Sequence, residues 1–326
     1  MELVAGALKY FSQPYGLRDA AAWLLHNVAG PSRRHAALTP AVPSGTIANP
    51  IRPALTLVFV GDVLPFRGAT LRASDELREF LAGADVLVAN FEGTIVEGRP
   101  PRVFMGQAHS PQVIDFLTDL FPPARTVLTC ANNHAPDYGR SLFERSRELL
   151  AASGFRSIGG VDAPAALIDG IVALAAATDW LNRPADYVQG LDPNPPVHGD
   201  AAFRVLCPHW GHELEAFPRP CQVQRAKRLL GHWDMIVGHH SHCPQPVTLC
   251  DGARVRRLVA YSLGNFTFGY NLRHHLHGRV LKVSVGPQAD GTWAAGRLDY
   301  RNVELTASKS SRRGERRLMR IVARNV

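Results

Sequence analysis

Three histidines lie within residues 238–242, which read Gly-His-His-Ser-His. They directly follow the apolar run Met235–Val237, which is typical of the end of a buried strand, and Gly238 lets the backbone turn sharply there. Histidines two positions apart in a loop can face the same point. Because neutral imidazole binds transition metals and acts as a general base near neutral pH, the loop is a candidate for either chemistry. A solvated histidine-rich loop is the alternative.

Four other apolar runs are also followed directly by polar side chains. Carboxylates, amide oxygens and imidazoles together suit a divalent ion such as Mn²⁺, Fe²⁺, Zn²⁺ or Mg²⁺. A carboxylate that bridged two ions would allow the water activation used against phosphate or acyl centres. The candidate residues at all five strand ends are Asp62, Asn90, Glu92, Asn132, Asn133, His134, His209, Glu213, His240 and His242.

The pattern of strands and helices would bring these residues to one edge. Apolar runs predict strands at 55–60, 85–89, 126–130 and 155–158, and amphipathic spacing predicts helices at 74–81, 111–120 and 141–153. This alternation indicates an α/β fold with a parallel sheet covered by helices, in which ligands bind beyond the carboxyl ends of the strands. The second half is more antiparallel, with predicted strands at 171–176, 203–207, 234–237, 246–249, 256–262, 280–285 and 292–300 and a helix at 222–233.

Length and composition fit a globular protein with a sizeable core, at 326 residues and 46% hydrophobic. We divide the chain into an N-terminal helix and linker (1–54), a main domain (55–305) and a basic tail (306–326). The net charge of +8 comes largely from residues 308–324, where seven Lys or Arg face Glu315 alone. Because no aromatic residues are interleaved with these charges, we interpret the tail as a solvated face and expect no nucleic-acid partner.

The five cysteines form no CxxC pair, which favours a reduced compartment. The sequence contains no convincing targeting segment and no apolar run long enough to span a membrane, so we expect a soluble, cytoplasmic protein. The oligomeric state is left open.

The strand-end motifs, taken in order, resemble those of the CapA-type capsule and poly-γ-glutamate synthesis proteins, a branch of the calcineurin-like metallophosphoesterases. The resemblance covers roughly residues 55–270 and implies a metallophosphatase-like four-layer α/β/β/α sandwich with two facing sheets. The motifs are Gly61-Asp62, Asn90-Phe91-Glu92, the run 131–139 (Ala-Asn-Asn-His-Ala-Pro-Asp-Tyr-Gly), His209-Trp210-Gly211-His212-Glu213, the run 238–242 and Ser262-Leu263-Gly264-Asn265-Phe266.

The resemblance also implies roles for individual residues. Asp62 and Glu92 would be carboxylate ligands, with Glu92 bridging two ions. Asn133, His209 and His240 would hold the second ion, and His242 would complete the first site. His134 would donate a proton or stabilise the transition state.

One departure from the wider superfamily weakens the first metal site. The histidine that follows the first aspartate by two positions is replaced here by Leu64, and the usual aspartate of the second motif is replaced by Glu92. Two ions, one ion or none are therefore all open.

Other residues are candidates for substrate contacts. We expect Asn90, Glu213 and Arg67 to meet the substrate, although Glu213 could instead orient a histidine and Arg67 could be an ordinary surface residue. Trp210 is a further candidate, with packing as the alternative. We expect His239 to face away from the site.

Three functions remain open. The first is a metal-dependent hydrolase of a phosphoester, or of an amide in a polyglutamate or peptide substrate, assisted by His134. The second is a metal-independent peptide epimerase, in which Asp62 with His240 or His242 moves a proton at a Cα. The third is a non-catalytic factor in polymer synthesis. The partner would be a small molecule, a polymer or a peptide.

Overall fold

Five α-helices and eighteen strands are found in the part of the chain that the computed structural model describes, residues 16–66, 69–191, 199–269, 272–307 and 318–324. The helices are α1 (Leu17–Ala29), α2 (Asp75–Leu81), α3 (Gln112–Leu120), α4 (Arg140–Ala152) and α5 (Pro220–Leu229). The strands are β1 (Thr46–Ile47), β2 (Leu55–Val63), β3 (Thr70–Ala73), β4 (Val86–Phe91), β5 (Thr94–Ile95), β6 (Ala108–His109), β7 (Thr126–Thr129), β8 (Arg156–Ile158), β9 (Ala165–Ile168), β10 (Val172–Thr178), β11 (Phe203–His209), β12 (Met235–Val237), β13 (Val247–Asp251), β14 (Arg256–Ala260), β15 (Asn265–Thr267), β16 (His277–Pro287), β17 (Trp293–Ala307) and β18 (Leu318–Arg324).

The larger sheet has the order β3-β18-β17-β16-β2-β4-β7-β8, with β1 added to β17 and β15 to β2. Strands β2, β4, β7 and β8 are parallel, as the alternating first half of the sequence predicts. Parallel neighbours need a crossover connection, and α2, α3 and α4 lie in those connections. All six residues of β4 are buried, so both faces of the sheet are covered at its centre.

The second sheet has the order β13-β14-β12-β11-β10-β9. Its central strands β10, β11, β12 and β14 are parallel, and the edge strands β9 and β13 run antiparallel to them. Side chains alternate between the two faces, as the two-residue period of a strand requires. In β12, Met235 and Val237 belong to the core shared with the larger sheet, whereas Ile236 packs with Leu229 of α5 on the other face.

The two sheets thus enclose one large core between them. Residues of α2, α3 and α4 belong to the same core as the larger sheet, and α5 packs on the outer face of the second sheet. This is the four-layer α/β/β/α arrangement that the family resemblance implies, and that prediction is confirmed.

Part of the predicted basic tail is a strand of the larger sheet. Strand β18 pairs antiparallel with β17 and parallel with β3. Ile321 is buried while Arg320 is exposed, so this segment alternates like other half-buried strands and is not a solvated face. Residues 308–317, which carry most of the predicted tail's charge, lie outside the described residues, and the proposed domain boundaries stay predictions.

No helix among the described residues combines the length and apolar character that crossing a membrane requires.

Candidate metal and catalytic site

The polar strand ends of both sheets converge on one buried centre. Asp62 lies in β2, Glu92 directly follows β4, and His209 ends β11. The loops after β7 and β12 add residues 132–134 and 239–242. Because these strands are parallel within their sheets, their carboxyl ends lie at a common edge, as predicted. The structure therefore brings together all six residues that the sequence proposes as ligands: Asp62, Glu92, Asn133, His209, His240 and His242, each at most 5% exposed.

Glu92 is the unusual member of this centre, because neither of its carboxylate oxygens has a hydrogen-bond partner. Its side chain is fully buried. Three imidazole nitrogens face one oxygen from beyond hydrogen-bonding distance: Nε2 of His134 at 3.8 Å, of His209 at 3.9 Å and of His242 at 3.8 Å. Burial without donors raises the pKa of Glu92 to about 8.

The surroundings of Glu92 fit a cation. A buried carboxylate without partners is costly, whereas a cation that displaced the protons of the facing imidazoles would satisfy the carboxylate. Two sets of side chains have ligand atoms close enough to share an ion: Asp62, Glu92 and His242, and Glu213, His240 and His242.

Asp62, in contrast, is saturated by protein donors. Its Oδ1 accepts from Asn90 Nδ2 at 2.9 Å and lies 3.1 Å from His239 Nδ1. Its Oδ2 accepts from the backbone N–H of His240 at 3.2 Å and lies 3.4 Å from His242 Nδ1. Burial alone would raise the pKa of Asp62, but the hydrogen bonds from the two imidazoles outweigh it and hold the pKa well below its usual range.

The expectation that His239 faces away from the site is wrong. A bridge between His209 and His239 continues the pairing of β11 with β12 by two residues. His239 is therefore on the same face as Val237, which looks toward the larger sheet and Asp62. The chain leaves the sheet only at the next residues, where His240 and His242 have φ of 92° and 55°, a region that non-glycine residues rarely occupy.

His209 and His240 are held neutral, which is the form that binds metals. Burial lowers the pKa of both side chains well below the usual range. His209 Nε2 lies 2.7 Å from Asn133 Oδ1 and Asn90 Nδ2 lies 3.2 Å from His209 Nδ1, a pattern that suits a proton on Nε2. For Nε2 to bind an ion, the neutral ring would have to carry its proton on Nδ1 instead.

His134 is instead poised to carry a proton. Its Nδ1 lies 2.6 Å from Asp137 Oδ2, and its Nε2 points toward Glu92. Burial lowers the pKa of His134, but the charge and hydrogen bond of Asp137 raise it by more, so that the net shift is upward. Asn182 Nδ2 donates to the other oxygen of Asp137 at 3.2 Å and so fixes the carboxylate.

A cavity of about 180 Å³ opens beside these residues. His134, His242 and Glu213 reach its wall, together with Leu64. Leu64 thus presents an apolar side chain at the position where the sequence resemblance had led us to look for a metal-binding histidine.

Most of the chain that forms this site matches a known protein family. The family described as "Bacterial capsule synthesis protein PGA_cap" matches residues 56–167 and 196–270, more than half of the chain. The chain belongs to this family. The match includes all six proposed ligands together with His134, so the predicted resemblance is confirmed.

Two curated relatives of this PGA_cap protein are from Bacillus. The chain is 30% identical over 168 residues to the capsule biosynthesis protein CapA of Bacillus anthracis, covering 44% of the chain and 40% of the relative. It is 25% identical over 244 residues to the PGA biosynthesis protein CapA of Bacillus subtilis (strain 168), covering 66% of the chain and 63% of the relative. The PGA_cap chain therefore spans less than two thirds of either relative.

Among solved structures, a hypothetical protein from Thermus thermophilus matches 77% of the PGA_cap chain and 99% of its own chain, at 10% identity and a TM-score of 0.43.

The residues that we expected to contact the substrate lie in different places in the structure of this PGA_cap protein, and only some of them line the cavity. Glu213 lines the cavity. Asn90 does not, because its amide is engaged by Asp62 and His209. Trp210 packs between the second sheet and α5 and donates to the carbonyl oxygen of Tyr261 at 3.0 Å, which corrects the expected substrate contact. Arg67 lies outside the described residues.

The N-terminal helix α1 contributes side chains that sequence reasoning did not assign to the site. Trp23 Nε1 donates to Glu213 Oε2 at 2.5 Å, and Asn27 Oδ1 lies 3.0 Å from His275 Nε2. Asp19 accepts from Arg219 at 2.7 Å. These three α1 residues are four apart, on one helix face, and that spacing is the signal that could have identified them.

Proposed function

We propose that this PGA_cap protein is a divalent-metal-dependent hydrolase that cleaves a phosphoester or an amide of a polyglutamate- or peptide-type substrate. The observation that carries the proposal is the carboxylate of Glu92, which is buried, lacks donors and faces three imidazoles across a gap. The names of the two relatives connect the family to capsule and PGA biosynthesis, which is why an amide polymer stands beside phosphoesters as a candidate substrate.

The residues that would hold an ion are Glu92, Asn133, His209, His240 and His242, with Asp62 close by. A divalent ion bound there would polarise the substrate and lower the pKa of water. Asp62 would mainly orient imidazoles, because its oxygens already accept from Asn90, His239 and the backbone of His240.

His134 would supply the proton that the leaving group needs. Asp137 holds Nδ1 of this imidazole and raises its pKa, which favours a proton on the other nitrogen, at the cavity side of the site. A positioned imidazole with a proton contributes about 10²–10⁴-fold to such reactions. The buried walls of the site would exclude bulk water from this proton transfer.

The experiment removes metal with EDTA, restores Mn²⁺, Zn²⁺, Fe²⁺ or Mg²⁺ in turn, and measures bound metal together with cleavage of aryl phosphates, an aryl phosphodiester and γ-glutamyl and aminoacyl anilides. We expect cleavage to follow metal content. Glu92→Gln should lose metal, whereas His134→Gln should keep metal and lose at least about 100-fold in kcat. Glu97→Gln, at an exposed carboxylate five residues away, is the matched control. Full activity of the metal-free protein would refute the proposal.

A second candidate, a metal-independent peptide epimerase, is favoured by three specific observations. Asp62 and His242 are paired at 3.4 Å, His242 lines the cavity with His134, and Leu64 supplies no ligand. Two imidazoles at one cavity could remove and return a proton at a Cα. Incorporation of solvent deuterium into a peptide by EDTA-treated protein would support this function, and metal-dependent cleavage without exchange would exclude it.

A further inference from the structure

We propose that the cavity beside His134 and His242 binds an apolar side chain of the substrate, next to the bond that reacts. This inference rests on the proposed function for its catalytic meaning, but it concerns recognition. It narrows the substrate class to a peptide or phosphoester in which the side group next to the bond that reacts is branched aliphatic or aromatic. An acidic side group at this position is excluded.

The wall of the cavity is the first reason. Leu64, Phe268 and Leu272 contribute apolar surface to the wall, and Met105 and Trp23 add more. Phe268 stacks on His275 with ring centroids 4.9 Å apart, and His275 lies against His242 at 5.6 Å. The apolar surface is therefore continuous with the reacting imidazoles. Such a lining gains free energy by removing an apolar group from water.

The size of the cavity is the second reason. At about 180 Å³ it is slightly larger than an apolar protein cavity of about 150 Å³ that is known to hold benzene. A leucine or phenylalanine side chain fits such a volume, while the atoms of a polymer backbone would remain outside, near His134 and Glu92.

Glu213 is the third reason, because it places an acid at the same wall. Its Oε2 accepts from the indole of Trp23. A carboxylate of the substrate that entered here would lie beside the carboxyl group of Glu213 and would lose its hydration in a mainly apolar pocket.

Helix α1 fixes the side of the pocket that carries Trp23. Arg219 ties α1 to the main domain through Asp19, and the Asn27 and His275 side chains meet at 3.0 Å. Beyond the helix, Ser32 and Leu214 are joined by a backbone hydrogen bond of 2.8 Å. Residues of α1 are thus part of the recognition surface, and the contacts of α1 with the main domain preform the pocket.

The test measures binding without turnover. Metal-free protein is titrated with N-acetyl-leucinamide, N-acetyl-phenylalaninamide, N-acetyl-alaninamide and the α-amide of N-acetylglutamic acid, and Kd is followed by NMR. We expect the leucine and phenylalanine probes to bind at least about tenfold more tightly than the alanine probe, because two or more additional carbon groups leave water. The glutamic acid probe should bind no better than the alanine probe.

Two variants connect this preference to the pocket. Trp23→Ala should weaken binding of the leucine and phenylalanine probes at least about fivefold, since it removes one wall. Leu272→Arg, at a half-exposed rim position, leaves α1 in place and should reverse the preference by attracting the glutamic acid probe. Leu38→Arg is the control, because Leu38 has the same exposure, 46% against 45%, and does not line this cavity.

Equal affinities for the alanine and leucine probes, or tighter binding of the glutamic acid probe by the unmodified protein, would overturn the inference. So would a Leu272→Arg protein whose preference equals that of the Leu38→Arg control. The experiment needs neither metal nor cleavage, so failure of the hydrolase proposal and failure of the pocket give different results.

Discussion

Replacing Glu92 with glutamine should stabilise the metal-free protein at alkaline pH, although it removes the central side chain of the site. The carboxylate is fully buried and neither oxygen has a donor, so the folded protein keeps this group protonated to an unusually high pH. Glutamine has nearly the same shape and cannot ionise. The substitution therefore removes an electrostatic cost without leaving a cavity.

The size of the effect follows from the difference in pKa between the folded and unfolded states. Burial raises the pKa of Glu92 from an ordinary 4.5 to about 8 in the folded protein. Between these two values the folded state binds more protons, so its stability is greatest below pH 4.5 and is lost as the pH rises through 8. The free energy of unfolding changes by about −1.4 kcal/mol per pH unit in this range. It therefore falls by at most about 4 kcal/mol between pH 5 and pH 8.

Urea unfolding at pH 5, 6, 7 and 8 in EDTA measures this directly. We expect the glutamine variant to match the wild type at pH 5 and to exceed it by a few kcal/mol at pH 8, with the exposed-site variant Glu97→Gln following the wild type. Adding Mn²⁺ or Zn²⁺ should reverse the order, because an ion at about 100 times its Kd adds about 2.7 kcal/mol to the protein that binds it. The reasoning would be refuted if the free energies of unfolding of Glu92→Gln and wild type changed in parallel with pH. Equal stabilisation of both proteins by metal would also refute it.

Three further predictions test other parts of the site. Asp137→Asn should lower the pKa of His134, since the largest upward influences on it come from Asp137, and should cut kcat about 10–100-fold while moving the alkaline limb of the pH–rate profile to lower pH. Gly61→Ala should destabilise the fold by several kcal/mol in urea unfolding, because the added Cβ would lie 2.0 Å from the backbone oxygen of Gly264. Gly190→Ala is the control and should be nearly neutral, because a Cβ added there would have no atom within 4 Å. Prolonged EDTA treatment should abolish hydrolysis, with recovery on adding one divalent metal in an activity assay.

The candidate site could be predicted because it depends on strand ends. A buried parallel strand is recognised from a short apolar run, and its carboxyl end lies at the binding edge of the sheet. Asp62, Glu92 and His209 each directly follow or end such a run, so their convergence needed no knowledge of side-chain contacts. The family resemblance then implied which of them share an ion.

The contribution of α1 could not be predicted from the same reasoning. An amphipathic pattern normally predicts that leucines face the core, yet Leu24 and Leu25 are exposed while Trp23 and Asn27 face the site. The partner of Trp23 is Glu213, 190 positions away, and nothing local in the sequence joins them. The orientation of His239 could not be predicted either, because it depends on how far the strand pairing continues past β12.

Two of the possible ligand sets share one side chain, which limits the number of ions that they can hold together. The sets Asp62–Glu92–His242 and Glu213–His240–His242 both need His242. Its Nδ1 lies 2.9 Å from Asn265 Oδ1 and close to Asp62, which leaves Nε2 as the nitrogen that faces Glu92. One imidazole nitrogen holds one ion, and Leu64 offers no replacement, so the two sets cannot both be filled from these side chains. We therefore expect metal titration followed by calorimetry to show one tight site per chain, and two equivalent tight sites would contradict this argument.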